Sequence, residues 1–299
     1  MVTRREDGPL AWQSKVILLL VLPWTAGSVI LQSHWWLTQV PVVAYETLGI
    51  SAIFGLIVWR MRAGTPGAAF TGALITASLM YSTAQYPYKT SWLHGGLMPL
   101  LAVFLLTYAA TKVGRAKKER LGTGESKRGR NAAQVAANLG VASLLATVGP
   151  MVVEGGTKGS NSFGGLLAVA ALSEAAADTV SSEIGQVFGG QPRMLTTFRR
   201  VPPGTDGAIT LAGTLAGVIA AAIVAAIGSW AMGEDWLLCA WITAGGTAGL
   251  IFDSLLGATV ERKGWINNDA VNFLSTVTAP VFSILAVLAY TAVFPKYQY

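Results

Sequence analysis

Apolar runs close to the length of a bilayer-crossing helix recur from one end of this 299-residue chain to the other. That repetition is the strongest constraint on its fold, because lipid offers no partner to an open backbone and a run of roughly 20 residues spans the hydrocarbon only as an α-helix. Candidate spans are Ser14–Gln32, Val42–Trp59, Gly67–Gln85, Trp92–Lys112, Asn131–Val153, Ser162–Ala177, Ala208–Met232, Trp236–Gly257 and Ala270–Phe294. The expected fold class is therefore all-α, a polytopic transmembrane helical bundle of about nine spans, with residues 1–299 forming a single membrane domain. Composition agrees: 12% of the residues are charged, against roughly 25% in a soluble domain. The 34 glycines, many inside apolar runs, suit close approach of helices in lipid. The sixth run is short, which predicts a tilted, broken or partly inserted helix. The first contains Pro23 and Trp24 and leads straight into further spans, so it is expected to remain as a helix instead of being cleaved as a signal.

Lys and Arg give the orientation. With nine spans, one side receives Arg4, Arg5, Lys15, Arg60, Arg62, the basic residues from Lys112 to Arg130, Arg193, Arg199, Arg200, Arg262 and Lys263, which is 18 of the 21. The other side receives Lys89, Lys158 and Lys296. Such a bias places the N-terminus in the cytoplasm and the C-terminus outside. Residues 112–130, with Gly122, Gly124 and Gly129, are expected as a flexible basic cytoplasmic loop. It would serve either as a topology determinant that touches anionic headgroups or as partial cover for a phosphorylated ligand. The net charge of +6 comes with no aromatic-interleaved basic domain, so nucleic acid is not an expected partner. Cys239 stands alone, which excludes an internal disulfide and a thiolate metal cluster. His34 and His94 flank apolar runs without zinc-site spacing.

Carboxylates are few, so their positions are informative. Glu174 and Asp178 lie four apart and share a helix face at the inner end of the sixth span. Asp178 opens into A-D-T-V-S-S-E, which adds Ser181, Ser182 and Glu183. Acids at membrane depth must face protein, water or a cation, so these residues are either functional or paired with nearby arginines. The following segment, P-R-M-L-T-T-F-R-R-V-P-P-G-T-D-G, carries Arg193, Arg199 and Arg200 ahead of Gly204, Thr205 and Asp206. Arginines grip phosphate oxygens in pairs, and a glycine-bounded turn opening a helix presents amides to an anion. The alternative is a juxtamembrane turn anchoring lipid headgroups. Residues 178–207 are thus expected as a cytoplasmic acidic/Arg/Gly site loop.

Further polar residues fall on the same side. Asp253 lies in F-D-S-L-L-G-A-T, Asn268, Asp269 and Asn272 lie in N-N-D-A-V-N-F-L-S-T, and Gln134 and Asn138 sit one turn apart. Several carboxylates with arginines suggest a divalent cation and a polyphosphate, the ingredients of phosphoryl transfer. No G-x-x-x-x-G-K-[ST] loop is present; G-G-T-K-G-S, Gly155–Ser160, lacks the spacing and falls on the outer side.

In order and spacing, A-D-T-V-S-S-E, the arginine/glycine segment, F-D-S-L-L-G-A-T, N-N-D-A-V-N-F-L-S-T and Q-V-A-A-N at Gln134–Asn138 resemble one family, over about Gly67 to Leu288. It is the family that includes plant phytyl-phosphate kinase and animal transmembrane protein 19. The resemblance implies a kinase that makes the diphosphate of phytyl, geranylgeranyl or farnesyl monophosphate, with Mg²⁺ and with CTP, or ATP, as donor. It assigns Asp178, Glu183 and Asp253, with Asp269 behind them, to Mg²⁺ or donor phosphates, and Arg193, Arg199, Arg200, Gly204 and Thr205 to phosphates. Asp206 and Asn272 would order that loop or meet the nucleotide, and Asn138 would meet the acceptor phosphate. Glu174, Ser182 and Asn268 complete the expected binding set. The prenyl tail would lie between small-residue helices or open to lipid. Against the kinase stand a transporter or scramblase of a phosphorylated lipid or organic anion, favoured by the short sixth span and the many glycines, and a non-catalytic scaffold, which leaves the one-sided polar motifs unexplained.

Overall fold

The computed structural model describes residues 10–88, 92–124, 128–152 and 160–293. Arg4, Arg5, Lys89, Lys127, Val153, Glu154, residues 155–159 of the glycine-rich motif, Lys158, Phe294 and Lys296 lie outside them. The chain runs α1 (Trp12–Gln39), α2 (Pro41–Arg60), α3 (Pro66–Ser82), α4 (Leu97–Lys112), α5 (Arg115–Leu121), α6 (Ala132–Val152), α7 (Ser160–Phe188), β1 (Arg193–Met194), β2 (Ala208–Ile209), α8 (Leu211–Met232), α9 (Trp236–Leu256), a π-helical turn (Gly257–Glu261) and α10 (Asn268–Val293).

Each apolar run has become a helix, and the protein is an all-α polytopic membrane protein. Among the described residues, α1, α2, α7, α8, α9 and α10 are long and apolar enough to cross a bilayer, and α4 and α5, bent by 65° at their break, meet the same test only when taken together. The shorter α3 has 17 residues, and the apolar part of α6 is Ala132–Val148. Local chemistry explains where the helices begin. Proline stands at the first position of α2 and α3, where its missing amide hydrogen is not needed. Asp235 caps the amide of Leu238 and Thr210 that of Gly213. Asn131 and Gln134 cap one another's amides at 3.0 and 2.8 Å, a reciprocal box that opens α6.

The hub is α7, which packs against α4, α6, α8, α9 and α10, while α1 turns most of its surface outward. Its buried face is built from small residues, Ala168, Ala171, Ala175 and Ala176 among them, so neighbouring backbones come close. Two expectations change at this point. The sixth span is not short: α7 has 29 residues and carries Asp178, Ser182 and Glu183 inside the helix, so residues 178–188 are not loop. The helix continues past its apolar run because protein, not lipid, surrounds it. Within 112–130, residues Arg115–Leu121 form α5 and Lys118 is buried, so that part of the basic segment is packed structure.

The helices alternate in direction, and cross-links gather one set of ends. Ser14 at the start of α1 donates to Asp269 at the start of α10 at 2.5 Å. Gly64, after α2, bridges Arg130, before α6. Lys118, after α4, pairs with Glu183 near the end of α7. Gly207, before α8, packs on Gly257 at the end of α9. Every described Lys and Arg lies in or beside the segments gathered at this end.

Candidate functional site

At that end α7, α9 and α10 bring three carboxyls together. Glu174 and Asp178 project from one face of α7, and Asp253 comes from the last full turn of α9. Gly249 makes this possible: a Cβ there would stand 2.5 Å from Cγ of Glu174 and 3.0 Å from the carbonyl oxygen of Ser275, so only glycine leaves room for the acid between the helices. Glu174 is 1% exposed, and its Oε1 has no hydrogen-bond partner. The Ser275 hydroxyl donates to Oδ2 of Asp253 at 3.2 Å. Asp178, one turn beyond Glu174 on α7, faces Asp253 on α9. Arg130 faces Asp178 from the start of α6 and donates from Nη2 to the Thr179 hydroxyl at 3.3 Å. Like charges packed this closely, away from bulk water, call for a cation or protons to accompany them.

Glu183 and Asp269 are held elsewhere. Glu183 accepts from Lys118 Nζ at 2.5 Å, and the same ammonium donates to the carbonyls of Ala110 and Thr111 at 3.0 and 2.8 Å. Glu183 therefore closes the break between α4 and α5, although its charge is felt at Asp178. Asp269 accepts the Ser14 hydroxyl, which in turn accepts from Asn267. Asn272 Nδ2 donates to Asn138 Oδ1 at 3.3 Å and so ties α10 to α6, while Asn138 donates to the Gln134 carbonyl. Asn268 opens α10. Ser182 is exposed and donates to the Thr179 carbonyl.

The arginine/glycine segment forms a flap closed by β1 and β2, which pair antiparallel with Arg193 opposite Ile209. Arg193 also bridges Arg200, its Nη1 donates to the Phe198 carbonyl at 3.0 Å, and Thr205 donates to the Pro202 carbonyl at 2.7 Å. Arg193, Arg199, Arg200 and Asp206 are exposed. Gly204 turns the chain with φ at 81°. Gly207 lies so close to Ala258 that any side chain would overlap that residue's backbone, which fixes the flap against the π-helical turn one helical turn past Asp253. The flap thus sits at the same end of the bundle as the carboxyls.

Beside this cluster a cleft runs between α2, α3, α4 and α6. Exposed Arg62 and Lys112 and half-buried Arg130 line its solvent-facing part, the mouth, and buried Phe54 and Leu100 with half-buried Phe104 line its inner part. Asn138 and Ala175, the residue after Glu174, form the wall toward the carboxyls. Sequence reasoning placed Arg62, Lys112 and Arg130 only in loops and passed over Lys118 and Ser275. Within N-F-L-S-T the three-residue step from Asn272 to Ser275 was a usable signal, since it sets both on one helix face.

Fold and site define a class: a polytopic helical membrane protein with clustered, largely enclosed carboxyls and a basic rim gathered at one end of the bundle. The chain belongs to the integral membrane protein DUF92 family, whose model matches residues 49–280, in agreement with the resemblance carried by the motifs. It is 32% identical to Protein VTE6, chloroplastic, of Arabidopsis thaliana over 64% of this chain and 58% of that one. It is 40% identical to the uncharacterized membrane protein MJ0933 of Methanocaldococcus jannaschii over 39% of this chain and 49% of that one. The uncharacterized membrane protein sll0875 of Synechocystis is 27% identical over 76% of this chain and 93% of that one. The chain spans about half the length of the first two of these relatives. No solved structure matches it.

Proposed function

We propose that the protein is a membrane kinase that transfers the terminal phosphoryl group of a nucleoside triphosphate, CTP or ATP, to an isoprenoid monophosphate. An oxygen of the acceptor phosphate attacks the γ-phosphorus, a new P–O bond forms, the bond from that phosphorus to the β-γ bridging oxygen breaks, and nucleoside diphosphate leaves with the prenyl diphosphate formed. The acceptor oxygen is already ionised, so positioning and charge neutralisation carry the reaction and no strong general base is needed. The observation that carries this reading is the cluster of buried Glu174 with half-buried Asp178 and Asp253, next to Arg130, which also lines the neighbouring cleft.

Among the described residues no three or more His, Cys, Asp or Glu side chains stand in the arrangement of a metal site. Mg²⁺ asks for less, since it commonly takes one or two carboxylates and completes its shell with substrate phosphates and water. Asp178 and Asp253, with the unpartnered Oε1 of Glu174 behind them, supply hard oxygens suited to an ion that arrives with the nucleotide. When bound, Mg²⁺ would neutralise charge on the transferring phosphates. Arg199 and Arg200 on the flap are exposed and able to turn toward a polyphosphate, and Arg193 could join them by giving up its bond to the Phe198 carbonyl. The family resemblance supports a prenyl chain. The position of every described Lys and Arg at this end supports a site that faces the cytoplasm, with the N-terminus on that side.

The test is conversion of geranylgeranyl monophosphate to its diphosphate by purified protein with Mg²⁺ and CTP or ATP, followed by mass spectrometry. Asp178→Asn should lower turnover by about a hundredfold or more while leaving the melting profile intact. A transporter or scramblase would instead move the prenyl phosphate across liposomes with no nucleotide consumed, and that outcome would remove the kinase reading.

A further inference from the structure

We propose that the cleft between α2, α3, α4 and α6 seats a single-chain phosphate monoester and limits the length of the chain it accepts. The phosphate lies among Arg62, Lys112 and Arg130, and the chain runs inward to Phe54, Leu100 and Phe104. That this ligand is the phosphoryl acceptor rests on the kinase reading; that it binds here does not.

Charge complementarity selects the head of the ligand. Two guanidinium groups and an ammonium line a cleft whose other walls are mainly apolar, with Thr107, Tyr108, Thr111 and Asn138 as the polar exceptions, and a phosphate monoester meets arginine by paired, charge-assisted hydrogen bonds. The Lys112 ammonium rests 4.9 Å from the centre of the Tyr108 ring, which also lines the cleft, so it is held at the rim. Arg62 has φ at 55°, the left-handed residue that ends α2 just after its C-cap Met61 and turns the chain toward the cleft.

The depth selects the tail. Lys112 at the mouth and Leu100 in the interior are twelve residues apart on α4, about 18 Å at 1.5 Å per residue. Phe54 and Phe104 meet edge to face, ring centres 5.3 Å apart, and narrow the cleft part-way along α4 between Lys112 and Leu100. On α3, Gly72 widens the channel: a Cβ there would meet only the Phe54 ring, at 3.8 Å, so a larger side chain would extend into space a ligand can use. Arg130 and Ala175 set the mouth beside the carboxyl cluster, which brings a phosphate held there next to the place proposed for the donor.

The probe is dodecyl phosphate, titrated calorimetrically into the detergent-solubilised full chain without nucleotide. Saturable binding is expected, with dodecanol, inorganic phosphate and the two-chain dioleoyl phosphatidate each at least about tenfold weaker. Arg62→Ala with Lys112→Ala should weaken dodecyl phosphate by about tenfold or more. Gly72→Leu should weaken dodecyl phosphate while sparing butyl phosphate, and Phe104→Ala should move the best-bound chain to a greater length. The proposal is overturned if inorganic phosphate or phosphatidate binds as tightly as dodecyl phosphate. It is equally overturned if Gly72→Leu, melting like the wild type, binds dodecyl phosphate unchanged. Tight binding of dodecyl phosphate without turnover of any prenyl phosphate would sink the kinase reading and leave the lipid site standing. Turnover whose chain-length profile ignores Gly72→Leu and Phe104→Ala would do the reverse.

Discussion

Lys118→Met tests the packing at the basic end of the bundle. Lys118 is 2% exposed and its ammonium has three partners: Glu183 and the carbonyls of Ala110 and Thr111. Methionine keeps the stem and removes the charge, leaving Glu183, at 16% exposure, as an unpaired acid and two carbonyls at the end of α4 without a donor. Removing one partner of a buried pair costs about 3–5 kcal/mol. Because Glu183 retains some access to water, the lower figure applies, about 3 kcal/mol, or a fall in melting temperature of roughly 5–10 °C. Cys239, the only cysteine and partly buried, provides the assay: a thiol-reactive fluorophore reports its exposure during a thermal ramp in detergent. Adding Glu183→Gln to Lys118→Met removes the orphaned charge and should restore more than half of the loss. The reasoning fails if the single variant melts within about 1 °C of wild type, or if the double variant is no more stable than the single.

Two other substitutions examine the architecture. Gly249→Val drives a side chain into Glu174 and the Ser275 carbonyl and should cost about 1–3 kcal/mol by overpacking, read as a lower melting temperature; unchanged melting would mean that α7, α9 and α10 are not this close. Asn131→Ala removes one half of the box that opens α6 and should cost about 1 kcal/mol, measurable by the same ramp with little change in activity.

Most of the helical framework was legible because bilayer thickness sets a length that apolar runs must meet. The errors arose where that rule stops applying. Hydropathy reads surfaces that face lipid, whereas α7 is enclosed by other helices and could keep its helix through Asp178, Ser182 and Glu183. Ala208 was read as the start of a span, but Ala208 and Ile209 pair with Met194 and Arg193 of β1 and the Ala208 amide donates to the Thr205 carbonyl, so α8 starts at Leu211. The flap and the carboxyls Glu174, Asp178 and Asp253 were visible as motifs, since acids at membrane depth stand out locally. Their partners were not. Nothing among the basic residues between Lys112 and Arg130 marks Lys118 as the buried one, because its three acceptors are set by the bend at Gly114 and by α7, far along the chain. The cleft mouth is equally non-local: Arg62, Lys112 and Arg130 come from the turn after α2, the end of α4 and the turn before α6. Glu183 and Asp269 look like metal ligands by composition, yet a lysine and a serine from distant segments hold them.

The most direct measurement follows a labelled atom. With CTP or ATP carrying ³²P only in the γ-phosphate, the protein in proteoliposomes and geranylgeranyl monophosphate as acceptor, the label should leave the nucleotide and appear in the terminal phosphate of the lipid diphosphate, with one nucleoside diphosphate released for each. If the label stays in the nucleotide or appears as free phosphate while the lipid monophosphate changes leaflet, the carboxyl cluster serves another purpose and the account is wrong.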